Sequence, residues 1–246
     1  MGTLMSRLLA FVYGVACYLL FFAVFLYLIA FVADIPVPGW APKTVSHGAA
    51  AGGLGAVAMN LFWLALFGLQ HSLMARASFK KRIAAWVPPH IERSTFVLAS
   101  SLVLALAMWQ WQPIGGTLWH IDSGVAQVLL WALFALGWAL IFVATFLTDH
   151  FDLFGLRQVY LHLARKTYTH VEFKTVLLYK LVRHLMLGLL IAFWATPSMT
   201  ASHLLFAAVM SIYVFIGIHF EERGLLRALG KDYADWRTRT PMVLPI

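Results

Sequence analysis

Three groups of polar residues stand at the edges of long hydrophobic runs in this sequence. They comprise Gln70, His71, Ser72 and Arg76 in the first group, Asp149, His150, Asp152, Arg157 and Tyr160 in the second, and Tyr179, Arg183, His184, Gly188, His219, Glu221, Glu222 and Arg223 in the third. Ionisable groups near a membrane are costly in free energy, so they point to function. A histidine beside a carboxylate can accept a proton, whereas paired carboxylates with guanidinium groups can bind a polar ligand.

Metal and thiol chemistry are less favoured by the spacing of the residues. His150, His162, His170 and His184 follow one another at wide intervals, with no H-E-x-x-H or cysteine-rich pattern. We therefore predict no metal, and a site built from distant histidines is the minor alternative. The single cysteine, Cys17, lies among apolar neighbours that disfavour a reactive thiolate.

The elements that must position these groups are membrane helices. Hydrophobic residues make up 62% of the 246 residues and charged residues only 11%, a balance that excludes an ordinary soluble domain. A spanning helix needs roughly 20 mostly apolar residues. Six runs are candidates: Leu8–Val32, Gly53–Leu73, Thr95–Trp111, Val125–Thr148, Leu181–Ala195 and His203–Phe220. The sequence predicts an all-α bundle of about six transmembrane helices, with five as the alternative.

The distribution of basic residues predicts the orientation of the bundle. All of the 18 Lys and Arg residues except Lys43 fall in the segments that share a side with both termini. By the positive-inside rule that side is cytoplasmic, and all three polar groups lie on it. The prediction is a single integral membrane domain over residues 1–246 of a bacterial inner membrane, with a site that opens to the cytoplasm. We therefore expect the basic residues to set the membrane topology and to contact lipid headgroups, and we expect no nucleic acid partner.

The last seventy residues carry a resemblance. They contain Arg183-His184, Glu221-Glu222-Arg223, Gly230-x-x-Tyr233 and a closing Pro241-x-x-x-Pro245. In this order the motifs resemble the C-terminal signature of the isoprenylcysteine carboxyl methyltransferase superfamily of membrane enzymes. The proline that follows Arg-His in that superfamily is replaced by Leu185. The resemblance implies a cofactor-binding half over residues 149–246.

Motifs in the front half narrow the resemblance to one family. These are Gln70-His71-Ser72-x-Met74-Ala75-Arg76, His150-Phe151-Asp152-Leu153-Phe154-Gly155-Leu156-Arg157-Gln158 and Phe193-Trp194-Ala195-Thr196-Pro197. They are similar to the methanethiol S-methyltransferases, which convert methanethiol to dimethyl sulfide with S-adenosylmethionine. The partner implied is a small apolar thiol. The alternatives are another thiol or a prenylcysteine carboxylate as methyl acceptor, and a non-enzymatic membrane carrier or accessory protein of nitrogen-oxide metabolism.

The resemblance implies residues for S-adenosylmethionine, which carries a sulfonium, an amino acid end and an adenosine. Glu221 and Glu222 suit the ribose or amino group. The residues expected to bind the carboxylate or to enclose the adenine are Arg183, His184, Arg237, Leu185, Leu187, Gly188 and Tyr233. In the structural alternative, Arg223 forms an ion pair with Glu222 or Asp232.

A base near the thiol acceptor would help, because an alkanethiol is mostly protonated at neutral pH. In the alternative, the sulfonium lowers the thiol pKa enough that no dedicated base is needed. His150, oriented by Asp149 or Asp152, is the first candidate, and His71 with Gln70 is the second. In the alternative reading these two histidines hydrogen bond each other and only brace helix ends. The residues assigned to substrate binding are Arg76, Arg157 and Tyr179.

Overall fold

The computed structural model describes residues 3–48, 52–169, 182–184 and 186–242, and within them every side chain except those of residues 228, 229 and 232. Ten helices and two short strands follow one another in this part of the chain: α1 (Leu4–Val32), α2 (Leu54–Ala75), α3 (Ala77–Ile83), α4 (Pro89–Trp109), β1 (Thr117–His120), α5 (Gly124–Leu147), α6 (His150–Leu153), α7 (Leu156–Leu163), α8 (Leu187–Trp194), β2 (Ser198–Thr200), α9 (Ala201–Leu229) and α10 (Lys231–Arg239).

Five of these helices, α1, α2, α4, α5 and α9, are long and apolar enough to cross a membrane. The all-α membrane bundle is therefore confirmed, with five candidate spans among the described residues. In the described part of the predicted fifth span, Leu181–Ala195, helix is limited to the eight residues of α8, which are too few to cross a bilayer. The physical reason lies in the preceding backbone, where the N–H groups of Arg183 and His184 donate to the carbonyls of Pro241 and Met242 instead of forming helical bonds.

The chain divides into two compact units. Unit 1 contains residues 1–113 and 148–172 and includes α1–α4, α6 and α7. Unit 2 contains residues 114–147 and 173–246 and includes α5, α8–α10 and both strands. The predicted single domain and its cofactor-binding half stay predictions.

In unit 1, α4 packs against both α1 and α2, and α7 packs across α1 and α4. The loop between α6 and α7 fits closely because Gly155 has a φ of 88°, and a Cβ there would lie 2.6 Å from the Ser94 hydroxyl oxygen. Arg7 donates from Nη1 to the carbonyl of Leu163 at 2.9 Å, which fixes the start of α1 to the end of α7. The early turns of α1 and α4 are likewise joined by a side-chain hydrogen bond, and residues 76–88 connect α2 to α4. The start of α1, the end of α2 and the start of α4 therefore lie at one end of unit 1.

That end of unit 1 carries nearly all of the unit's charge. Among its described residues, only Asp34 and Lys43 of the charged side chains belong to the opposite end. There the hydrogen bonds include the pair between the Asn60 side chain and the backbone of Gln112, and those that Asp34 and Lys43 form with nearby residues. The asymmetry agrees with the predicted orientation.

In unit 2, β1 and β2 form an antiparallel pair in which Trp119 lies opposite Met199. The pair brings the starts of α5 and α9 to the same end. Helix α8 packs on α5 at a contact between Gly188 and Gly137, where a Cβ on either residue would lie within 2.6 Å of the other's carbonyl oxygen. Small residues permit this approach of two membrane helices.

Candidate functional site

The most concentrated group of ionisable side chains in unit 2 surrounds Glu222, near the end of α9. Its side chain is only 8% exposed. Arg183 Nε lies 3.2 Å from Glu222 Oε1, and His184 Nε2 lies 3.3 Å from the same oxygen. Arg237 Nη2 of α10 lies 3.4 Å from Glu222 Oε2. A buried carboxylate is thus compensated by two guanidinium groups, as a charge removed from water requires.

Glu221 differs from its neighbour in exposure. Its side chain is 50% exposed, and its Oε2 lies 3.5 Å from Nδ1 of the buried His184. The imidazole of His184 therefore stands between two carboxylates, one on each ring nitrogen. Both guanidinium groups lie against Glu222, and Glu221 is the more exposed of the two carboxylates.

Backbone contacts hold the group together. Arg183 N donates to Pro241 O at 2.9 Å and His184 N to Met242 O at 3.0 Å, while Arg183 Nη1 donates to Arg237 O at 2.9 Å. The Arg-His, Glu-Glu-Arg and Gly-x-x-Tyr motifs and Pro241 are thus brought to one place. In the structural alternative, Arg223 forms an ion pair with Glu222 or Asp232. The ion-pair partners described for Glu222 are instead Arg183, His184 and Arg237.

Tyr233 contributes a buried polar atom to this group. The residue is 1% exposed, and its hydroxyl has no hydrogen-bond partner among the described residues. Burial, followed by the charge of Glu222, raises the pKa of Tyr233, so the hydroxyl keeps its proton at neutral pH. A buried hydroxyl of this kind is suited to a polar ligand, because leaving it unsatisfied is costly.

The other residues predicted for the cofactor have mainly packing contacts in unit 2. Leu187 packs against the buried side chains of Val214 and Ile218. Gly188 forms the close contact of α8 with α5. Leu185 lies outside the described residues.

In unit 1, His150 is held by a residue that the sequence did not single out. Its Nε2 lies 2.8 Å from the hydroxyl of Tyr18 in α1, and its ring has an edge contact with Phe154 at 4.9 Å between centroids. His150 is 3% exposed. Burial lowers the pKa of His150 below its ordinary value, and the charge of Asp149 opposes that shift in part. The ring is therefore neutral at pH 7 and able to accept a proton.

The two aspartates predicted to orient His150 have further partners. Asp149 caps α6 by accepting from Asp152 N at 3.1 Å, in a left-handed conformation with a φ of 83°. Asp152 accepts from Arg157 Nη1 at 3.0 Å and from the Tyr168 hydroxyl at 3.1 Å. Arg157, assigned from sequence to the substrate, is thereby engaged in an ion pair, and it also donates to Thr169.

The second candidate base, His71, lies on α2 next to Gln70 and shares a partner with it. His71 Nδ1 lies 3.2 Å from the hydroxyl oxygen of Ser100, to which Gln70 Nε2 also donates at 3.3 Å. The hydrogen bonds described for the two histidines thus lead to Ser100 and Tyr18. Sequence reasoning missed both residues, although a hydroxyl inside an apolar run is a signal that it needs a partner.

Of the other two residues predicted to bind substrate, the structure describes one. Arg76 is exposed between α2 and α3, and Tyr179 lies outside the described residues. Among the residues that the structure describes, no group of three or more His, Cys, Asp or Glu is arranged to hold a metal ion.

The five apolar helices and the buried ionisable groups define an integral membrane protein. Three relatives are similar over nearly the whole chain. The Methanethiol S-methyltransferase of Mycobacterium tuberculosis is 49% identical, covering 98% of this chain and 98% of its own length. Methanethiol S-methyltransferase 1 of Bradyrhizobium diazoefficiens is 47% identical (99% and 85%), and the Methanethiol S-methyltransferase of Crocosphaera subtropica is 43% identical (99% and 94%).

The chain belongs to the methanethiol S-methyltransferase family, which confirms the resemblance seen in its motifs. No protein-family model and no solved structure matches it.

Proposed function

We propose that this protein methylates methanethiol to dimethyl sulfide, with S-adenosylmethionine as methyl donor. The observation that carries the proposal is the similarity, at 43–49% identity over nearly the full chain, to proteins that bear the name of this reaction. When bound, S-adenosylmethionine would supply the methyl group of its positive sulfonium, and this group would pass in line to the thiolate sulfur as neutral S-adenosylhomocysteine leaves. The protein has to bind the donor, exclude water and keep the thiol and the methyl group about 3–3.5 Å apart.

The group around Glu222 fits the polar parts of the donor. Arg183 and Arg237 share one buried carboxylate, so the pair keeps one positive charge that a ligand carboxylate can neutralise. Glu221 is half exposed and suits an ammonium or ribose hydroxyl. The buried Tyr233 hydroxyl offers a further hydrogen bond. These contacts support the predicted cofactor role of the C-terminal motifs.

His150 remains the proposed base for the thiol. Burial keeps its imidazole neutral at physiological pH, and a neutral imidazole is the form that accepts a proton. Tyr18 holds the ring on Nε2. Such a base typically accelerates proton transfer by about 10²–10⁴-fold. His71, held by Ser100, is the second candidate.

We also infer that the protein resides in a bacterial inner membrane with its site open to the cytoplasm. The charge at one end of unit 1 supports this orientation, because basic residues flank membrane helices on the cytoplasmic side. A methyl donor made in the cytoplasm could then reach the site directly. A volatile thiol can approach through lipid or water.

The reaction is tested by headspace measurement of dimethyl sulfide after detergent-purified protein receives methanethiol and S-adenosylmethionine. We expect product only when both are present, and thermal stabilisation of the protein by S-adenosylhomocysteine. Stabilisation without dimethyl sulfide would refute methanethiol as the acceptor and favour another thiol or a prenylcysteine carboxylate. Absence of both stabilisation and product would refute the methyltransferase proposal. Propanethiol is the matched acceptor for testing substrate size.

A further inference from the structure

A basic surface lies on the segment that joins α2 to α4 in unit 1. It consists of Lys81 and Arg82 in the last turn of α3, together with Trp86 in the turn that follows. We call this set the α3 surface. None of the residues of α3 is buried, so the helix contributes little to the protein core.

The position of the segment fixes where this surface lies. Helices α2 and α4 are both long enough to span a membrane and pack against each other. Residues 76–88 connect the end of one to the start of the other. A short connection between two adjacent spans has to run along the boundary between hydrocarbon and water. The α3 surface is therefore at the depth of lipid headgroups.

The two cations on this surface are not neutralised by the protein. Lys80, their neighbour, forms an ion pair with Glu92 at 3.4 Å. Lys81 and Arg82 are exposed, and neither has an ion pair or a side-chain hydrogen bond among the described residues. Two adjacent positive charges at the headgroup level complement phosphate groups that carry negative charge.

Trp86 is the most exposed tryptophan described, with 81% of its surface accessible. Such exposure of an indole in water is unfavourable, whereas the membrane interface accommodates its apolar ring and its N–H group. The residue follows Lys81 by five positions and Arg82 by four, and its backbone N–H donates to Ile83 O at 2.9 Å, which holds the turn. An aromatic anchor and free cations thus stand side by side at one boundary.

We propose that the α3 surface binds the headgroups of anionic phospholipids, with Lys81 and Arg82 on the phosphate groups and Trp86 in the interface. Each cation near a membrane surface contributes roughly a five-fold preference for anionic lipid. Removing both should lower the preference by about 25-fold at low ionic strength. The proposal stands apart from the methyl transfer reaction.

The test uses the full-length protein in detergent, with native mass spectrometry to count bound phosphatidylglycerol and phosphatidylcholine in competition. We expect the K81Q/R82Q double variant to lose most of the preference for phosphatidylglycerol. The matched control is R227Q/K231Q, which removes the same charge from exposed residues of α9 and α10 and should keep the preference. Trp86→Ala should weaken retention of both lipids. Because these side chains are exposed, unfolding midpoints without lipid should equal that of the parent.

Three outcomes would overturn the proposal. A preference unchanged in K81Q/R82Q would show that headgroups bind elsewhere. An equal loss in the control would make the preference a property of net charge alone. Displacement of phosphatidylglycerol by millimolar inorganic phosphate, or retention of a protein partner by the parent in place of lipid, would assign the surface to a different ligand.

Discussion

The hydroxyl of Tyr18 lies 2.8 Å from Nε2 of His150, so a residue of the first spanning helix contacts the imidazole ring. The sequence predicts only an aspartate as the residue that orients this ring. The two rings also meet edge to face, with centroids 5.7 Å apart. The hydrogen bond crosses 132 positions of the chain. It ties the position of His150 to α1 as well as to its own short helix.

This relationship predicts the effects of two substitutions on activity. His150→Gln should lower the rate of dimethyl sulfide formation by about 10²–10⁴-fold, because the proton acceptor is lost. Tyr18→Phe should lower it by about ten-fold or less, because one neutral hydrogen bond contributes roughly 0.5–1.5 kcal/mol to holding the ring. The measurement is the initial rate at saturating thiol and donor.

The control for Tyr18→Phe is Tyr13→Phe, which removes a hydrogen bond of similar length, 3.0 Å to Thr95, from the same helix. It should cost similar stability and leave the rate unchanged. Full activity of His150→Gln with intact binding of S-adenosylhomocysteine would eliminate His150 as the base and direct attention to His71.

The buried imidazole of His150 predicts a dependence of stability on pH. Its pKa is lowered in the folded protein, so below about pH 6.5 the unfolded chain binds a proton that the folded chain does not. The free energy of unfolding should therefore decrease as pH falls below 6.5. Above that pH, His150 should not make the free energy of unfolding depend on pH. The slope from one group cannot exceed about 1.4 kcal/mol per pH unit.

The measurement compares denaturant unfolding of the parent and of His150→Gln in detergent between pH 7.5 and 5. The difference in unfolding free energy between the two should shrink as pH falls. A constant difference across this range would contradict a lowered pKa for His150.

Neighbouring glutamates on α9 are expected to behave differently when their charge is removed. Glu222→Gln should destabilise the protein by about 3 kcal/mol, because Arg183 would remain buried without its counter-charge. This is the lower end of the range for breaking a buried ion pair, since Arg237 is 44% exposed. Glu221→Gln should cost less than about 1 kcal/mol, because its side chain is half exposed.

The readout that separates structure from ligand binding is affinity for S-adenosylhomocysteine, measured at a temperature where each variant is folded. Glu221→Gln should weaken it while leaving the unfolding free energy nearly unchanged. Equal affinity of this variant and the parent would remove Glu221 from the proposed donor site.

Much of the architecture follows from local properties of the sequence. The spans α1, α2, α4, α5 and α9 are predictable because each is a continuous apolar run of sufficient length. The end of unit 1 that carries the charge is predictable because Lys and Arg are distributed by the positive-inside rule. The order of the C-terminal motifs predicts that they form one group, and Arg183, His184 and Glu222 do so.

The details of the site depend on contacts between distant residues, which local patterns do not encode. The local sequence does not distinguish Tyr18 or Ser100 from other residues of their helices. Their roles depend on the packing that brings Tyr18 to His150 of α6 and Ser100 to His71 of α2. The shortening of the fifth predicted span has the same origin. Its sequence is apolar enough for a longer helix, but hydrogen bonds from residues 183 and 184 to the C-terminal segment compete with helix formation.

Gly188 offers a test of whether a predicted ligand-binding residue acts through packing. A Cβ at this position would lie 2.5 Å from Gly137 O, and backbone atoms yield little, so α8 would have to move away from α5. Gly188→Ala should therefore lower the unfolding free energy by about 1–3 kcal/mol. Gly217→Ala in α9 is the matched control, because nothing lies within 4 Å of its added methyl group and alanine is the better helix former. Denaturant unfolding in detergent should show a loss for the first variant and none for the second. If Gly188→Ala instead kept its stability and lost affinity for S-adenosylhomocysteine, the glycine would belong to the donor site as the motif predicts.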